Sequence, residues 1–112
     1  MITPDDMVWY TDFSRGFLGR LDTATGSIKE WPSPGGPKSE PYAIVWTKGA
    51  LWYTETATKP NMVVRFDPKN EKFQSWVIPG GGDIVRNMDV DRDGNPVMAH
   101  SLSNEVGLVD IK

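Results

Sequence analysis

Short runs in which bulky apolar residues alternate with polar ones dominate the chain, as in Val8-Trp9-Tyr10-Thr11-Asp12 and Leu51-Trp52-Tyr53-Thr54-Glu55, and Gly, Pro, Asp or Asn bounds each run. No window keeps a helical apolar period, so no long helix is expected. Strands are predicted at Val8–Asp12, Leu18–Asp22, Ser27–Trp31, Ala43–Trp46, Leu51–Glu55, Val63–Asp67, Phe73–Val77, Asn87–Val90, Val97–His100 and Val106–Ile111. Turn chemistry joins them: Lys48-Gly49 and Asp93-Gly94-Asn95 on one side, Thr23 to Gly26 and Pro68 to Glu71 on the other.

The strand pattern repeats with a period of about 44 residues, the spacing of blade-type repeats. Trp9, Tyr10, Thr11 and Asp12 return as Trp52, Tyr53, Thr54 and Glu55, and Arg20, Asp22, Trp31, Pro34, Gly35 and Gly36 return as Arg65, Asp67, Trp76, Pro79, Gly80 and Gly81. A third copy keeps Gly94, Asn104, Val106 and Asp110. The expected fold is therefore all-β: propeller-type repeats of four-stranded antiparallel meanders, divided near 1–36, 37–81 and 82–112, forming an incomplete ring. About two and a half blades leave sheet edges and apolar faces open, which points to self-association or to blades supplied by another chain. Trp9, Trp31, Trp52 and Trp76 recur in register and are expected to pack between blades, whereas Trp46 breaks the register.

Composition narrows the partners. Five Trp, four Phe and three Tyr enlarge the core of a chain only 38% hydrophobic, because each buried aromatic removes roughly 150–250 Å² from water. A net charge of −3 offers no long-range attraction to nucleic acid or an anionic membrane, and neither is expected as a partner. Without Cys there is no disulfide and no thiolate metal site. No signal-peptide pattern and no membrane span is visible, so a cytoplasmic location is the default expectation.

Candidate chemistry gathers at one end of the blades. In a meander the start of the first strand and the end of the second share an end of the sheet, which puts Glu40 and Tyr42 near Glu55, and Arg86 and Asn87 near His100. Asp12, Glu55 and His100 hold the same place in successive copies. Such a repeated polar residue either caps a strand end in solvent or contacts a ligand. His100, the sole His, suits a base or metal ligand near neutral pH, or a structural role. Asp89, Asp91, Asp93 and Gly94 imitate the opening of a calcium loop, but His100 stands where the closing Glu belongs, so a turn is expected. Gly80-Gly81-Gly82 lacks the following Lys and Ser or Thr of a phosphate loop and reads as a rim loop.

The phrases WYTD and LWYTE, followed by IKEWPSPGG and FQSWVIPGG, resemble the streptogramin lyase family of virginiamycin B lyase-like propellers over nearly the whole chain. The resemblance implies a magnesium-dependent lyase site that opens a cyclic depsipeptide by elimination. It implies metal binding by Glu40 and Glu55 and a catalytic position at Tyr42; the blade geometry adds His100 as a second catalytic candidate and puts Asp12, Arg86 and Asn87 on the substrate rim. Tyr42 falls where the family's catalytic His stands; in the third copy the motif falls on Arg86 and Met88. A phenol with an ordinary pKa near 10 is a poor base at neutral pH. The resemblance thus implies a lyase-like propeller, and the alternative is a non-catalytic module that binds a small cyclic peptide, a glycan-like ligand or a protein. A gluconolactonase-type hydrolase would need a further Asn/Asp metal set.

Overall fold

The computed structural model describes residues 1–81, 85–100 and 104–111. All ten expected strands form: β1 Met7–Asp12, β2 Phe17–Asp22, β3 Ile28–Pro32, β4 Pro41–Thr47, β5 Ala50–Glu55, β6 Met62–Asp67, β7 Lys72–Val77, β8 Val85–Val90, β9 Pro96–His100 and β10 Glu105–Leu108. They build three antiparallel sheets, ordered β1-β2-β3, β4-β5-β6-β7 and β8-β9-β10, which are the blades of a partial propeller. The loop at 101–103 and the Gly82 end of the triple-glycine loop lie outside the described residues.

Turn residues close the meanders as their chemistry demands. Lys48 and Gly49 both take positive φ, 49° and 75°, the conformation of the tight turn between β4 and β5. Between β8 and β9 only Gly94 does so, at 84°, while the Asp91 carboxylate accepts the N–H groups of Asp93 and Asn95. Asp91 is thereby a turn brace, and those amides hold its carboxyl below the usual range. The last strand is shorter than the expected Val106–Ile111. Beyond Leu108 the chain is held by single bonds, Val109 N–H to Pro96 O and Ile111 N–H to Asn95 Oδ1, rather than by a ladder.

A register shift sits at the same place in two sheets, between Pro41 and Ile44 and between Val85 and Asn87. Bulges of this kind turn side chains at sheet rims. The register also corrects the third-copy alignment: Met88 pairs with Met98 as Ile44 pairs with Tyr53, so Met88 is the counterpart of Ile44, and Tyr42 corresponds to Arg86.

The core lies in the two junctions between sheets. Trp9 and Leu18 face Leu51, Tyr53, Val64 and Phe66 across the first, while Trp52 and Val63 meet Val85 and Met98 across the second. In both, the repeated tryptophans stack within their own sheet, Trp9 on Trp31 and Trp52 on Trp76, each with centroids 5.6 Å apart. Trp46 is half-buried against the first junction. A repeated hydroxyl ties each sheet to the next: Thr11 donates to Tyr42 O at 2.7 Å and Thr54 to Val85 O at 3.1 Å.

Candidate functional site

The rim is built where β1, β5 and β9 end and the linkers between sheets cross. At the end of β5 the Glu55 carboxylate turns inward and is only 1% exposed. Its Oε2 accepts the Ser33 hydroxyl at 2.6 Å and the Gly35 N–H at 2.7 Å, both from the linker after β3. Ser33 has a single proton and gives it to Glu55, so the 2.8 Å bond between Ser33 Oγ and Tyr53 Oη runs from the phenol. Burial, partly offset by the Ser33 contact and reinforced by the nearby Glu55, pushes the Tyr53 phenol far above its ordinary range. Gly35 is required here because a Cβ on it would come within 2.6 Å of Glu55 Oε2.

The three repeat-equivalent residues do three different things. Asp12 braces its own loop, accepting the Ser14 hydroxyl and the Arg15 N–H at 3.0 Å and Arg15 Nε at 2.6 Å. The Arg15 side chain, then its backbone amide, hold the Asp12 carboxyl below the usual range. Arg15 also pairs with Glu30. Glu55 reaches across to the preceding linker. His100 is buried opposite Val85 and Glu105, and its imidazole lies over Gly107, where a Cβ would stand 2.9 Å from Nε2. Buried Nε2 has no hydrogen-bond partner among the described residues.

Glu40 and Tyr42 do reach the rim beside Glu55, since Pro41 pairs with Glu55. Glu40 adopts a left-handed φ of 51°, and its carbonyl accepts the Thr56 N–H and hydroxyl at 3.1 and 2.8 Å. Tyr42 is exposed, and its ring meets Phe13 edge to face with centroids 5.6 Å apart. Arg86 and Asn87 are exposed at the bulge next to His100, Asn87 pairing with Ala99. Two blades' worth of candidates therefore form two clusters, Asp12 with Glu40, Tyr42 and Glu55 at one junction, and Arg86 and Asn87 with His100 at the other. No group of three or more His, Asp or Glu poised to hold a metal occurs among the described residues.

Sequence reasoning passed over Ser33, Gly35 and Tyr53 as site residues. Pro34-Gly35-Gly36 was visible as a repeated element, but the position of Ser33 is held by Ile78 in the next copy, so the repeat gave no sign of the hydroxyl that carries the relay.

No protein-family model matches the chain, and no curated protein does. Among solved structures it is similar to a catalytically inactive virginiamycin B lyase from Staphylococcus aureus crystallised with quinupristin, with a TM-score of 0.79 and 23% identity. The superposition covers 99% of this chain and 40% of that one, so the chain spans less than half the length of its structural neighbour and shares its propeller fold.

Proposed function

We propose that the chain is a ligand-binding module on a streptogramin lyase-like propeller scaffold, taking a small cyclic peptide or glycan-like ligand at the rim around Phe13, Tyr42, Asp12 and Arg15. One observation carries this reading: the Glu55 carboxylate is committed to the Ser33 and Gly35 donors, while the Phe13 and Tyr42 rings stand exposed as a pair at the same rim. Exposed aromatics beside charged hydrogen-bonding groups provide stacking area and orientation for such ligands. Titration calorimetry with quinupristin, the ligand of the structural neighbour, tests it. Binding is expected to survive EDTA and to weaken about tenfold in Tyr42→Ala; loss of binding on chelation, or a ring-opened product, would count for catalysis.

The second reading is a magnesium-dependent lyase-like site with Glu40 and Glu55 on the metal and Tyr42 or His100 near the substrate. It is favoured by the bonds that fix Glu40 to Thr56, next to Glu55. It is disfavoured by the two donors already on Glu55 Oε2. Magnesium titration followed by Trp fluorescence decides: this reading requires saturable binding that Glu55→Gln abolishes, and the binding-module reading expects no change at millimolar metal.

A further inference from the structure

Two exposed rings stand at the rim where the first and second sheets meet, and neither belongs to the core. Phe13 and Tyr42 are 44% and 42% exposed, and their planes cross at 88°. Rings at right angles leave a corner walled by one face of each, and a ring face attracts a cation. Hydrogen bonds from both sheets hold the corner in place. Thr11 fixes the Tyr42 carbonyl, while Gly16 N–H to Asp12 O and Ser33 N–H to Gly16 O, both at 2.9 Å, close and anchor the loop that carries Phe13.

The scaffold itself does not require this pair. At the second junction the corresponding positions hold Thr56 and Arg86, and the sheets meet there without a ring at either. Charge changes with them: Glu40, two residues before Tyr42, corresponds in sequence to Ile84. Glu40 is half-buried in a left-handed conformation that disfavours a side chain, with φ of 51°. Its carbonyl is taken by Thr56, but no hydrogen bond or ion pair engages its carboxylate among the described residues, Lys38 included. Strain of this kind clusters at ligand-contacting positions. Arg15 brings little competing positive charge, since Asp12 and Glu30 both pair with its guanidinium and it lies 5.0 Å from the Phe17 ring.

We infer that the corner between Phe13 and Tyr42, with Glu40 as the nearby counter-ion, receives an alkylated ammonium group of the ligand. This rests on the rim-binding reading above and names the part of the ligand that the rim selects. The ring faces attract the cation, and the carboxylate supplies the opposite charge that a neutral ligand would leave unused.

Choline and its uncharged isostere neohexyl alcohol test it, titrated into the full chain and read by the aromatic NMR shifts of Phe13 and Tyr42. Choline should bind saturably in the millimolar range, and the isostere about tenfold more weakly. Phe13→Leu keeps an apolar side chain but removes the ring face, and should weaken choline about tenfold. Glu40→Gly removes the carboxylate and the strain together, so choline should bind several-fold more weakly while the thermal midpoint rises. Weaker binding in a variant that melts higher is not a folding defect. End-blocked trimethyllysine, titrated beside choline, separates two sources of the group: tighter binding than choline assigns it to a peptide residue, and equal binding to a free small molecule. Equal affinity for choline and the isostere, no shift at about 20 mM choline, or parent-like choline binding in Phe13→Leu and Glu40→Gly would each overturn the inference. Quinupristin distinguishes this failure from that of the rim reading. If it binds in a Tyr42-dependent way while choline does not bind, the rim site stands and the ammonium assignment falls; if neither binds, both fall.

Discussion

The two junctions are built from the same repeat and close to different degrees. Each has a stacked tryptophan pair and a threonine donating to the next sheet's first strand. At the first, Phe66, Phe73 and the Glu71 carboxylate cover the pair, and the Tyr53–Ser33–Glu55 relay seals the rim. At the second, Val109 replaces Phe66, Ile78 replaces Ser33 and His100 replaces Glu55, and the tryptophans line an open groove. A repeat thus fixes which surfaces meet, while a few unrepeated side chains decide whether the meeting is tight.

Truncating the same position at both junctions should break the symmetry most. Phe66 is fully buried, and Phe66→Ala is expected to cost about 3–5 kcal/mol, enough to unfold much of the population of a marginal domain. Val109 is half-buried, and Val109→Ala should cost only about 1 kcal/mol. Urea denaturation of the two variants measures the difference; equal losses would mean that the junctions are equally sealed.

The rim braces should differ in the same direction. Glu55→Ala orphans the buried Ser33 hydroxyl, takes the acceptor from the Gly35 amide and is expected to cost about 2–4 kcal/mol. Gly35→Ala, which drives a Cβ toward Glu55 Oε2, should reproduce part of that loss. His100→Gln removes a side chain with no ring-nitrogen partner at Nε2 among the described residues, and should change stability by less than about 1 kcal/mol. Thermal melts of the three variants rank them.

How much of this was legible in the sequence depends on whether a feature repeats. Strand positions, turns, blade order and the stacked tryptophans all recur, and the alternation and the Gly, Asp and Asn turns announce them. The closeness of Glu40 and Tyr42 to Glu55 also followed, because antiparallel geometry alone requires it. What the carboxylates do with their hydrogen bonds did not follow. Asp12, Glu55 and His100 look equivalent along the chain, yet one caps a loop, one crosses to a linker and one lies buried over Gly107, because their partners Arg15, Ser33 and Gly107 are not repeat-invariant. The Tyr42 counterpart was misplaced although both sheets carry the same bulge, because the linker from the Pro-Gly-Gly element to the strand is one residue shorter before β8 than before β4.

Alkaline pH offers a reversible way to strain the first junction. The Tyr53 phenol is raised by burial, so between its unfolded value near 10 and its higher folded value the unfolded chain loses a proton that the folded chain keeps. Stability contributed by this group is complete below about pH 10 and falls as pH rises beyond it. Urea midpoints across that range should decline more steeply in the parent than in Tyr53→Phe. That substitution leaves Ser33 bonded to Glu55 and should itself cost about 1 kcal/mol at neutral pH.

The smallest effect is also the most discriminating, because it separates a turn's backbone from its side chain. Glu71 and Gly26 occupy the same place in successive turns, with φ of 56° and 75°. A side chain in that left-handed conformation costs about 1 kcal/mol, which glycine avoids. Glu71 recovers the cost through its bonds to the Trp31 indole and to Lys29 Nζ at 2.8 Å, which also hold its carboxyl below the usual range, Lys29 first. Those partners are half exposed, so solvent screening keeps the pair weak. Glu71→Ala keeps the strain and loses the bonds, and should lower the urea midpoint slightly. Glu71→Gly loses both together and should be close to neutral. If the two variants are equally stable, the strain argument fails. If Glu71→Gly is clearly less stable than the parent, the bond to Trp31 is worth more than its exposure allows, and sealing by the turn matters more to the first junction than Phe66 alone would indicate.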